Sequence, residues 1–289
     1  MASRNLIDFP YDQVFAKPWR LTDIRSWHGH IPFAFFLVQA VKPEMFVELG
    51  VHKGDSYCAF CQAVRDSSIK CKCYGIDTWK GDRQSGLYDE EIIRDLKQFH
   101  DTRFSDFSTL IRSTFDDALF RFDDASIDIL HIDGLHEYQA VKHDFESWLP
   151  KISHRGIILL HDTNERQGDF GVWKLWEELS GSYDSFEFFH SHGLGVLFLG
   201  VEMPEDLAPL FMGSSRDRDM IRNFFSGLGN NIFLKGRIDE LNNKIARLTE
   251  TIKLHQSMIE NRDRQIDKLM ARIGELEKSQ EALYREEDG

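Results

Sequence analysis

The stretch SIDILHIDGLHEYQAVKHDFESWLPKISHRGIILLHD, residues 126–162, decides the fold class of this chain. It contains two largely apolar runs, Ile127–Ile132 and Gly156–Leu160, and an aspartate follows each run, at Asp133 and Asp162. Strand, acid, helix, strand and acid in this order are typical of a parallel α/β sheet, whose strands present their carboxyl ends at one edge. We therefore predict that this edge carries an active site.

Length, charge and hydropathy limit the classes of protein. The chain has 289 residues, enough for one large domain or two small ones. Its formal net charge of −13 argues against a general nucleic-acid-binding protein, which needs clustered Lys and Arg. No apolar run approaches the roughly 20 residues of a membrane helix, and the N-terminus lacks the apolar centre of a signal peptide. We expect a cytoplasmic protein with no transmembrane segment and no nucleic-acid partner.

Four cysteines lie close together in the sequence, at Cys58, Cys61, Cys71 and Cys73. Cys-x2-Cys followed by Cys-x-Cys is a spacing that zinc sites also use. However, the first pair falls inside a predicted helix and the second at the start of a predicted strand. The sequence therefore favours structural cysteines over a zinc site.

A turn with two glycines follows the first predicted strand, within VELGVHKGDS, residues 47–56. Gly50 and Gly54 lie four residues apart, and a helix begins near Asp55 or Ser56. Glycine lets the backbone come close to a ligand, and the first turn of a helix has free N–H groups. A plain structural turn is about equally common, so this motif needs a second signal.

The second signal is Asp77, which ends the next predicted strand about twenty residues after the glycine turn. An acid at this position is placed to accept both hydroxyls of a ribose, and Trp79 beside it is placed to stack on a base. The alternative for Asp77 is a helix or turn cap. The turn and the acid together are more specific than either alone.

Helices and strands alternate along the rest of the chain. An aromatic-rich segment, residues 1–30, is interpreted as an arm or lid, and an apolar helix follows at Phe33–Val41. A surface helix is predicted within residues 80–100. The runs Phe186–His190 and Gly193–Leu199 predict an antiparallel pair of strands.

The tail has the most regular pattern in the chain. Isoleucine recurs every seven residues, and leucine fills most positions of the other seam, which favours a parallel two-stranded coiled coil. Polar residues interrupt the seam and can fix its register at a cost in stability. The alternative is a solitary amphipathic helix packed on its own domain. The seam consists of Ile238, Ile245, Ile252, Ile259, Ile266 and Ile273, of Leu241, Leu248, Leu269, Leu276 and Leu283, and of the polar His255, Arg262 and Gln280.

These segments divide the chain into four parts. They are an arm of residues 1–30, an α/β domain of residues 31–203, a helical connector of residues 204–236 and a coiled coil of residues 237–285. Proline and glycine punctuate the connector, so we expect short helical pieces there. The coiled coil predicts a homodimer.

Four motifs together resemble those of class I S-adenosylmethionine (SAM)-dependent methyltransferases. They are VELGVHKGDS, YGIDTW, DILHIDGLHEY and GIILLHDT, in the order that the family has them. The resemblance covers roughly residues 27–200 and is closest to the small-molecule O-methyltransferases that include macrocin-type sugar O-methyltransferases. His52 stands where the family often has a middle glycine. The resemblance implies an α/β fold with a doubly wound, mostly parallel, Rossmann-like seven-stranded sheet, followed by the coiled-coil helix.

The resemblance also implies how SAM would bind. Glu48 would hold its amino-acid end and Asp77 its ribose hydroxyls, while Trp79 and Phe115 would lie against the adenine. The glycines would give the backbone room to approach. The implied cofactor residues are Glu48, Gly50, Gly54, Ser56, Asp77, Trp79, Ser113 and Phe115.

Asp133 and Asp162 would hold a divalent cation, with Mg²⁺ as the expected ion, because hard cations take carboxylate oxygens. Metal-dependent relatives have Asn or Asp directly after the second acid, whereas this chain has Thr163 at that third ligand position, with Asn164 after it. Alternatively, the two acids serve as a helix cap and as a hydrogen-bond acceptor for substrate.

His136 follows Asp133 by three residues, the offset of the catalytic base in related metal-dependent enzymes. Imidazole has a pKa near neutrality and can take a proton from a hydroxyl, so His136 and Asp133 are the implied catalytic pair. The alternative is a structural histidine. His131 lies inside a strand and is expected to pack, and His161 is expected to support the metal ligands.

The implied function is a SAM-dependent O-methyltransferase that acts on a hydroxyl of a sugar, a glycan or another polar small molecule. Such enzymes are sometimes joined to coiled coils in bacterial surface-polysaccharide assembly, where a glycan-assembly enzyme would be a partner and the inner face of the membrane a location. One alternative is a dimeric scaffold with a non-catalytic methyltransferase-like domain. Another is a nicotinamide-dependent oxidoreductase built on the same sheet, which the strand-end acids fit less well.

Overall fold

A computed structural model of the chain describes residues 12–83 and 86–287. Residues 1–11 of the predicted arm lie outside the described residues, and so do the side chains of the seam residues Gln280 and Leu283. The chain divides into two compact units after Leu234.

Seven strands of the described residues form one sheet, and two more form a separate short hairpin. The strands of the sheet are β1 Met45–Leu49, β2 Lys72–Asp77, β5 Ser108–Arg112, β6 Ile127–Ile132, β7 Ile152–His161, β8 Asp184–Phe188 and β9 Leu194–Phe198, and those of the hairpin are β3 Gly81–Asp82 and β4 Gly86–Leu87. The order in the sheet is β5-β2-β1-β6-β7-β9-β8. The first five strands of this order pair in parallel, whereas β9 pairs antiparallel with both β7 and β8. The doubly wound, mostly parallel sheet and the antiparallel final pair are therefore confirmed.

Helices cover both faces of the sheet. They are α1 Ile31–Val41, α2 Asp55–Asp66, α3 Glu90–Asp101, α4 Phe115–Leu119, α5 Tyr138–Trp148, α6 Val172–Ser180, α7 Ala208–Met212 and α8 Ser215–Glu287. Successive strand residues point to opposite faces, so Ile129 packs into one core and Leu130 into the other. The first core holds α1, α2 and the start of α8, and the second holds α5 and α6. Each fully buried Phe or Leu adds roughly 1.5–3 kcal/mol to that packing.

The segment predicted as one surface helix, residues 80–100, is divided by the short hairpin of β3 and β4. Its helix begins only at Glu90, where the Asp89 side chain accepts a hydrogen bond from the Glu91 backbone N–H. The four cysteines are buried free thiols, with Cys58 and Cys61 in α2 and Cys73 in β2.

The prediction of short helical pieces in the connector is wrong from Ser215 onward, because α8 is one continuous helix there. A Cβ on Gly229 would lie 2.2 Å from the carbonyl oxygen of Gly29, so this glycine permits close packing rather than ending the helix. Ile221 and Phe225 on the same stretch are buried in the first core. The compact α/β unit therefore extends to Leu234.

The second unit is the remainder of α8. The Ile and Leu residues of its seven-residue pattern are about half exposed, from 46% at Leu241 to 64% at Leu269. No helix in the described ranges is both long and apolar enough to span a membrane.

Candidate active site

A cavity of about 550 Å³ opens at the carboxyl ends of the parallel strands. The loops after β1, β2, β5, β6 and β7 all contribute to it, as expected for an open α/β sheet. Among the predicted site residues, the cavity wall includes Gly50, Gly54, Ser56, Asp77, Phe115, Asp133, His136 and Asp162.

The glycine turn after β1 brings two loops together. Gly50 has φ +92° and Gly54 has φ +81°, a region that favours glycine. A Cβ on Gly50 would lie 2.0 Å from the backbone oxygen of Asp133, so only glycine lets the loop after β1 pass the loop after β6. Gly54 directly precedes α2, which begins at Asp55.

Asp77 lies at the carboxyl end of β2 and organises the next loop. Its carboxylate accepts hydrogen bonds from the backbone N–H of His52 at 2.9 Å and of Trp79 at 2.7 Å. The Trp79 indole is buried and donates to the backbone oxygen of His52 at 2.9 Å. Trp79 therefore stabilises the loop after β2 and does not line the cavity. The aromatic side chains on the cavity wall include Tyr88 and Phe115.

Glu48 faces the interior rather than the cavity. Its side chain is fully buried, accepts a hydrogen bond from Ser56 Oγ at 2.7 Å, and lies 3.0 Å from Nδ1 of His131. The indole of Trp27 donates to Nε2 of His131 at 3.2 Å. Burial raises the pKa of Glu48, although the His131 imidazole opposes that effect. These contacts form a buried polar network beneath the cavity floor.

The segment before α1 forms one wall of the cavity, a feature that the sequence indicated only as an arm or lid. Asp55 accepts hydrogen bonds from the backbone N–H and the hydroxyl of Thr22, both at 2.6 Å, and lies 2.9 Å from Nε2 of His28. These contacts fasten the segment over the start of α2. Ile24 and Trp27 then line the cavity.

Two carboxylates and one imidazole meet at the other end of the cavity. Nε2 of His136 lies 2.8 Å from Asp162 and 3.4 Å from Asp133. One atom from each of these three residues lies within 4.8 Å of the others, a spacing that could hold a metal ion. Nδ1 of His161 lies 3.3 Å from both carboxylates.

Thr163, the predicted third ligand, lies outside this cluster. It is buried, and its Oγ1 is 2.6 Å from where a Cβ on Gly193 would be. Asp162 has φ +63°, and the chain turns there so that Thr163 packs toward β9. The side-chain amide of Asn164 donates to the backbone oxygen of Phe189 at 3.1 Å, also away from the cluster.

The charges of the cluster support one another. Burial favours the neutral form of each acid, but His161 and His136 outweigh it and hold the pKa of Asp133 and of Asp162 below the usual value. Burial likewise disfavours a charged imidazole, yet the two carboxylates raise the pKa of His136 to about 9. Without a cation, protonated imidazole therefore neutralises the acids.

Phe115 and Asp144 form the opposite end of the cavity. The Thr114 side chain accepts a hydrogen bond from the backbone N–H of Asp117 and caps α4, which positions Phe115 at the first turn. The backbone N–H of Ser113 donates to the backbone oxygen of Asp77, and Ser113 does not line the cavity. Asp144 is an additional lining residue, and its position within a predicted helix gave no signal of that role.

Parts of this sequence are similar to known proteins. Residues 47–163 match the sequence model of a family described as a methyltransferase domain. An uncharacterized protein of Sinorhizobium fredii, y4gI, is 47% identical over 185 residues, which are 64% of this chain and 20% of that protein. The chain thus spans about a fifth of that relative's length.

Partial structural similarity extends to three solved structures that are described as methyltransferases. A proposed caffeoyl-CoA O-methyltransferase from Staphylococcus aureus is 16% identical, with 63% and 86% of the two chains covered and a TM-score of 0.47. The O-methyltransferase TomG from Streptomyces achromogenes is 11% identical (63% and 91%, TM-score 0.45), and PaMTH1 from Podospora anserina is 16% identical (62% and 88%, TM-score 0.44). Residues 47–163 are thus similar to a methyltransferase domain, and the seven-stranded, mostly parallel sheet is the fold that the sequence predicted.

Proposed function

We propose that this chain transfers the methyl group of SAM to a hydroxyl oxygen of a sugar, a glycan or another polar small molecule, with the help of a divalent cation. The observation that supports it is the composition of the cavity. A glycine turn with Asp77 and Phe115 lines one side, and Asp133, His136 and Asp162 line the other. The cavity volume of about 550 Å³ is typical of a small-molecule site.

The residues present fit SAM, which supplies the electrophilic methyl group when bound. Gly50 and Gly54 line the cavity and have no side chain, so a ligand there can contact backbone directly. A carboxylate has about four acceptor positions, and backbone N–H groups occupy two of those on Asp77. The remaining two are available to ribose hydroxyls.

The acidic cluster fits a divalent cation. Asp133 and Asp162 would provide carboxylate oxygens, whereas Thr163 packs toward β9 and would not contribute a third ligand. The cation would act as a Lewis acid toward the acceptor oxygen. Carboxylate oxygens suit Mg²⁺ and Mn²⁺ alike.

In its neutral form His136 is the group that accepts the hydroxyl proton, as a general base. Its ring stacks on Phe170 at a centroid distance of 4.8 Å, which fixes the ring plane, and Asp162 fixes the direction of Nε2. Asp133 and Asp162 then stabilise the imidazolium that forms. Proton transfer thus occurs within one hydrogen-bonded group of side chains.

We further propose that a second copy of the chain pairs with the exposed seam of α8 as a parallel coiled coil. In two parallel helices, Arg272 of one copy would face Glu277 of the other. Arg262 would lie next to Asp263 of the second copy. In this proposal the protein acts in bacterial surface-polysaccharide assembly. It would work at the cytoplasmic side of the membrane, beside a glycan-assembly enzyme. The seam also supports the alternative of a non-catalytic dimeric scaffold.

One experiment separates the enzyme from the scaffold. Calorimetry measures S-adenosylhomocysteine binding, and release of S-adenosylhomocysteine from SAM is then followed with hydroxylated acceptors, before and after chelation and with Mg²⁺ or Mn²⁺ restored. We expect binding, and turnover that chelation removes and the ion restores. Lack of binding favours the scaffold, and turnover that survives chelation removes the cation from the proposal.

A further inference from the structure

Asp144 is a buried acid that lacks a hydrogen-bonding partner among the described residues. Its side chain is 7% exposed and opens into the cavity from the side of α5. Across the described residues, Asp144 has neither a hydrogen bond nor an ion pair. The nearby His143 imidazole instead lies 2.8 Å from Asp116. Asp144 is therefore the unpartnered acid at this end of the cavity.

An unpartnered buried carboxylate costs free energy that an apolar residue at the same position would not cost. Its neighbours on the inner face of α5 are Val141, Phe145 and Trp148, all buried. Burial raises the pKa of Asp144 to about 7, which expresses the same cost. A ligand that donates a hydrogen bond to Asp144 would offset it.

The surroundings of Asp144 fit a flat ring with a donor on its edge. A Cβ on Gly134 would lie 2.5 Å from Cε2 of Phe115 and 3.5 Å from Oδ2 of Asp144. The aromatic ring and the carboxylate are thus neighbours over a residue that has no side chain. A planar heteroaromatic ring could lie against Phe115 and present its edge to Asp144.

The predicted ribose position belongs to the same cavity. Asp77 pairs with Arg112 between β2 and β5, and Phe115 lies three residues after Arg112, at the first turn of α4. Asp77, Phe115 and Asp144 all line this cavity, so the positions proposed for the ribose, the base and the edge of the base lie in one site.

We propose that the Asp144 carboxylate accepts a hydrogen bond from the 6-amino group of adenine and makes the site specific for adenosyl over inosyl cofactors. This inference rests on the proposed SAM-binding function. The inosyl analogue has an oxygen in place of the amino group, so it brings an acceptor toward another acceptor. A site that hydrogen-bonds one group of a ligand rejects an analogue that lacks it.

Calorimetry at pH 8 with S-adenosylhomocysteine and S-inosylhomocysteine tests the inference. We expect the wild-type protein to prefer the adenosyl ligand by about tenfold or more. Asp144→Asn, which adds an amide donor, should reduce the preference to about threefold or less. The matched control is Glu146→Gln, an exposed acid on the same helix, which should keep the wild-type preference.

The outcomes are distinct. Equal wild-type affinity for both ligands overturns the inference without any variant, so it stays testable if Asp144→Asn does not fold. An unchanged preference in folded Asp144→Asn overturns it as well. Failure of the wild-type protein to bind S-adenosylhomocysteine contradicts the proposed function itself, and the inference with it.

Discussion

Nε2 of His136 lies 2.8 Å from Oδ2 of Asp162, although a helix and a strand separate the two residues in the chain. His136 lies in the loop after β6 and Asp162 directly after β7, and these strands are parallel neighbours. Asp133, also after β6, lies 3.4 Å from the same nitrogen. The imidazole is thus held between two acids whose spacing depends on one strand pair.

Replacement of His136 by alanine should separate binding from chemistry. Loss of a general base lowers turnover by about 10²–10⁴-fold, whereas the glycine turn and Asp77 remain intact. We expect the affinity for S-adenosylhomocysteine to stay within about threefold of wild type. His154→Gln, at an exposed histidine, is the control. Unchanged turnover in His136→Ala would remove the proposed base.

Gly50→Ala should destabilise the α/β unit. The residue has φ +92°, and the new Cβ would lie 2.0 Å from the Asp133 carbonyl oxygen, so two backbone segments must separate. We expect the free energy of unfolding in urea to fall by about 2 kcal/mol or more. Gly181→Ala is the matched control, because its φ is −85° and nothing lies within 4 Å of the new Cβ. Equal stability of the two variants would contradict the close approach.

The sequence predicted which acids meet and that His131 packs inside its strand, but not that Glu48 is buried with it. Apolar runs with a terminal acid place Asp133 and Asp162 at one edge, because parallel strands share their carboxyl ends. Glu48 is different, since its partner His131 lies beside it in the register between β1 and β6. That pairing joins strands far apart in the chain. One signal was present: each strand carries a polar residue one position before its last residue.

Thr163 and Trp79 show a second limit. Their positions depend on residues with left-handed backbone, since Asp162 has φ +63° and Trp79 itself has φ +49°. A positive φ at a residue other than glycine cannot be inferred from composition, and it reverses the direction of the following chain. Residue order therefore indicated these loops but not that the side chains of Trp79 and Thr163 face away from the cavity.

Asp55→Ala should loosen the wall formed by the segment before α1. The substitution removes both Thr22 hydrogen bonds and the contact with His28, and it leaves buried donors without a partner. We expect the free energy of unfolding to fall by about 1–3 kcal/mol. Affinity for S-adenosylhomocysteine should fall too, because Ile24 and Trp27 line the cavity. Asp124→Ala, which removes only an ion pair between Lys151 and a largely exposed acid, should remain near wild type in both measurements.

Asp144 should make stability depend on pH in the direction opposite to that of most acids. Burial raises its pKa from 3.8 to about 7, so the folded state holds a proton that the unfolded state releases in this window. Stability contributed by this group is present below about pH 4 and is lost as the pH rises through 7. Asp144→Asn should therefore be more stable than wild type at pH 8, by about 2 kcal/mol, with a smaller difference at pH 5. Urea titrations at both values measure it, and equal differences at the two would contradict the titration.

The exposed seam of α8 should hold two chains together. Ile252 and Ile259 are 55% and 57% exposed, and a second seam would cover them. A double Ile252→Glu and Ile259→Glu variant would place four carboxylates inside a dimer seam, so light scattering should show a dimer for wild type and a monomer for the variant. Asn243→Glu with Ser257→Glu adds the same charge on the outer face and should remain dimeric. S-adenosylhomocysteine affinity should be equal in all three, since the cavity lies in the other unit. A monomeric wild type, a trimer or a dimeric seam variant would each contradict the two-stranded pairing.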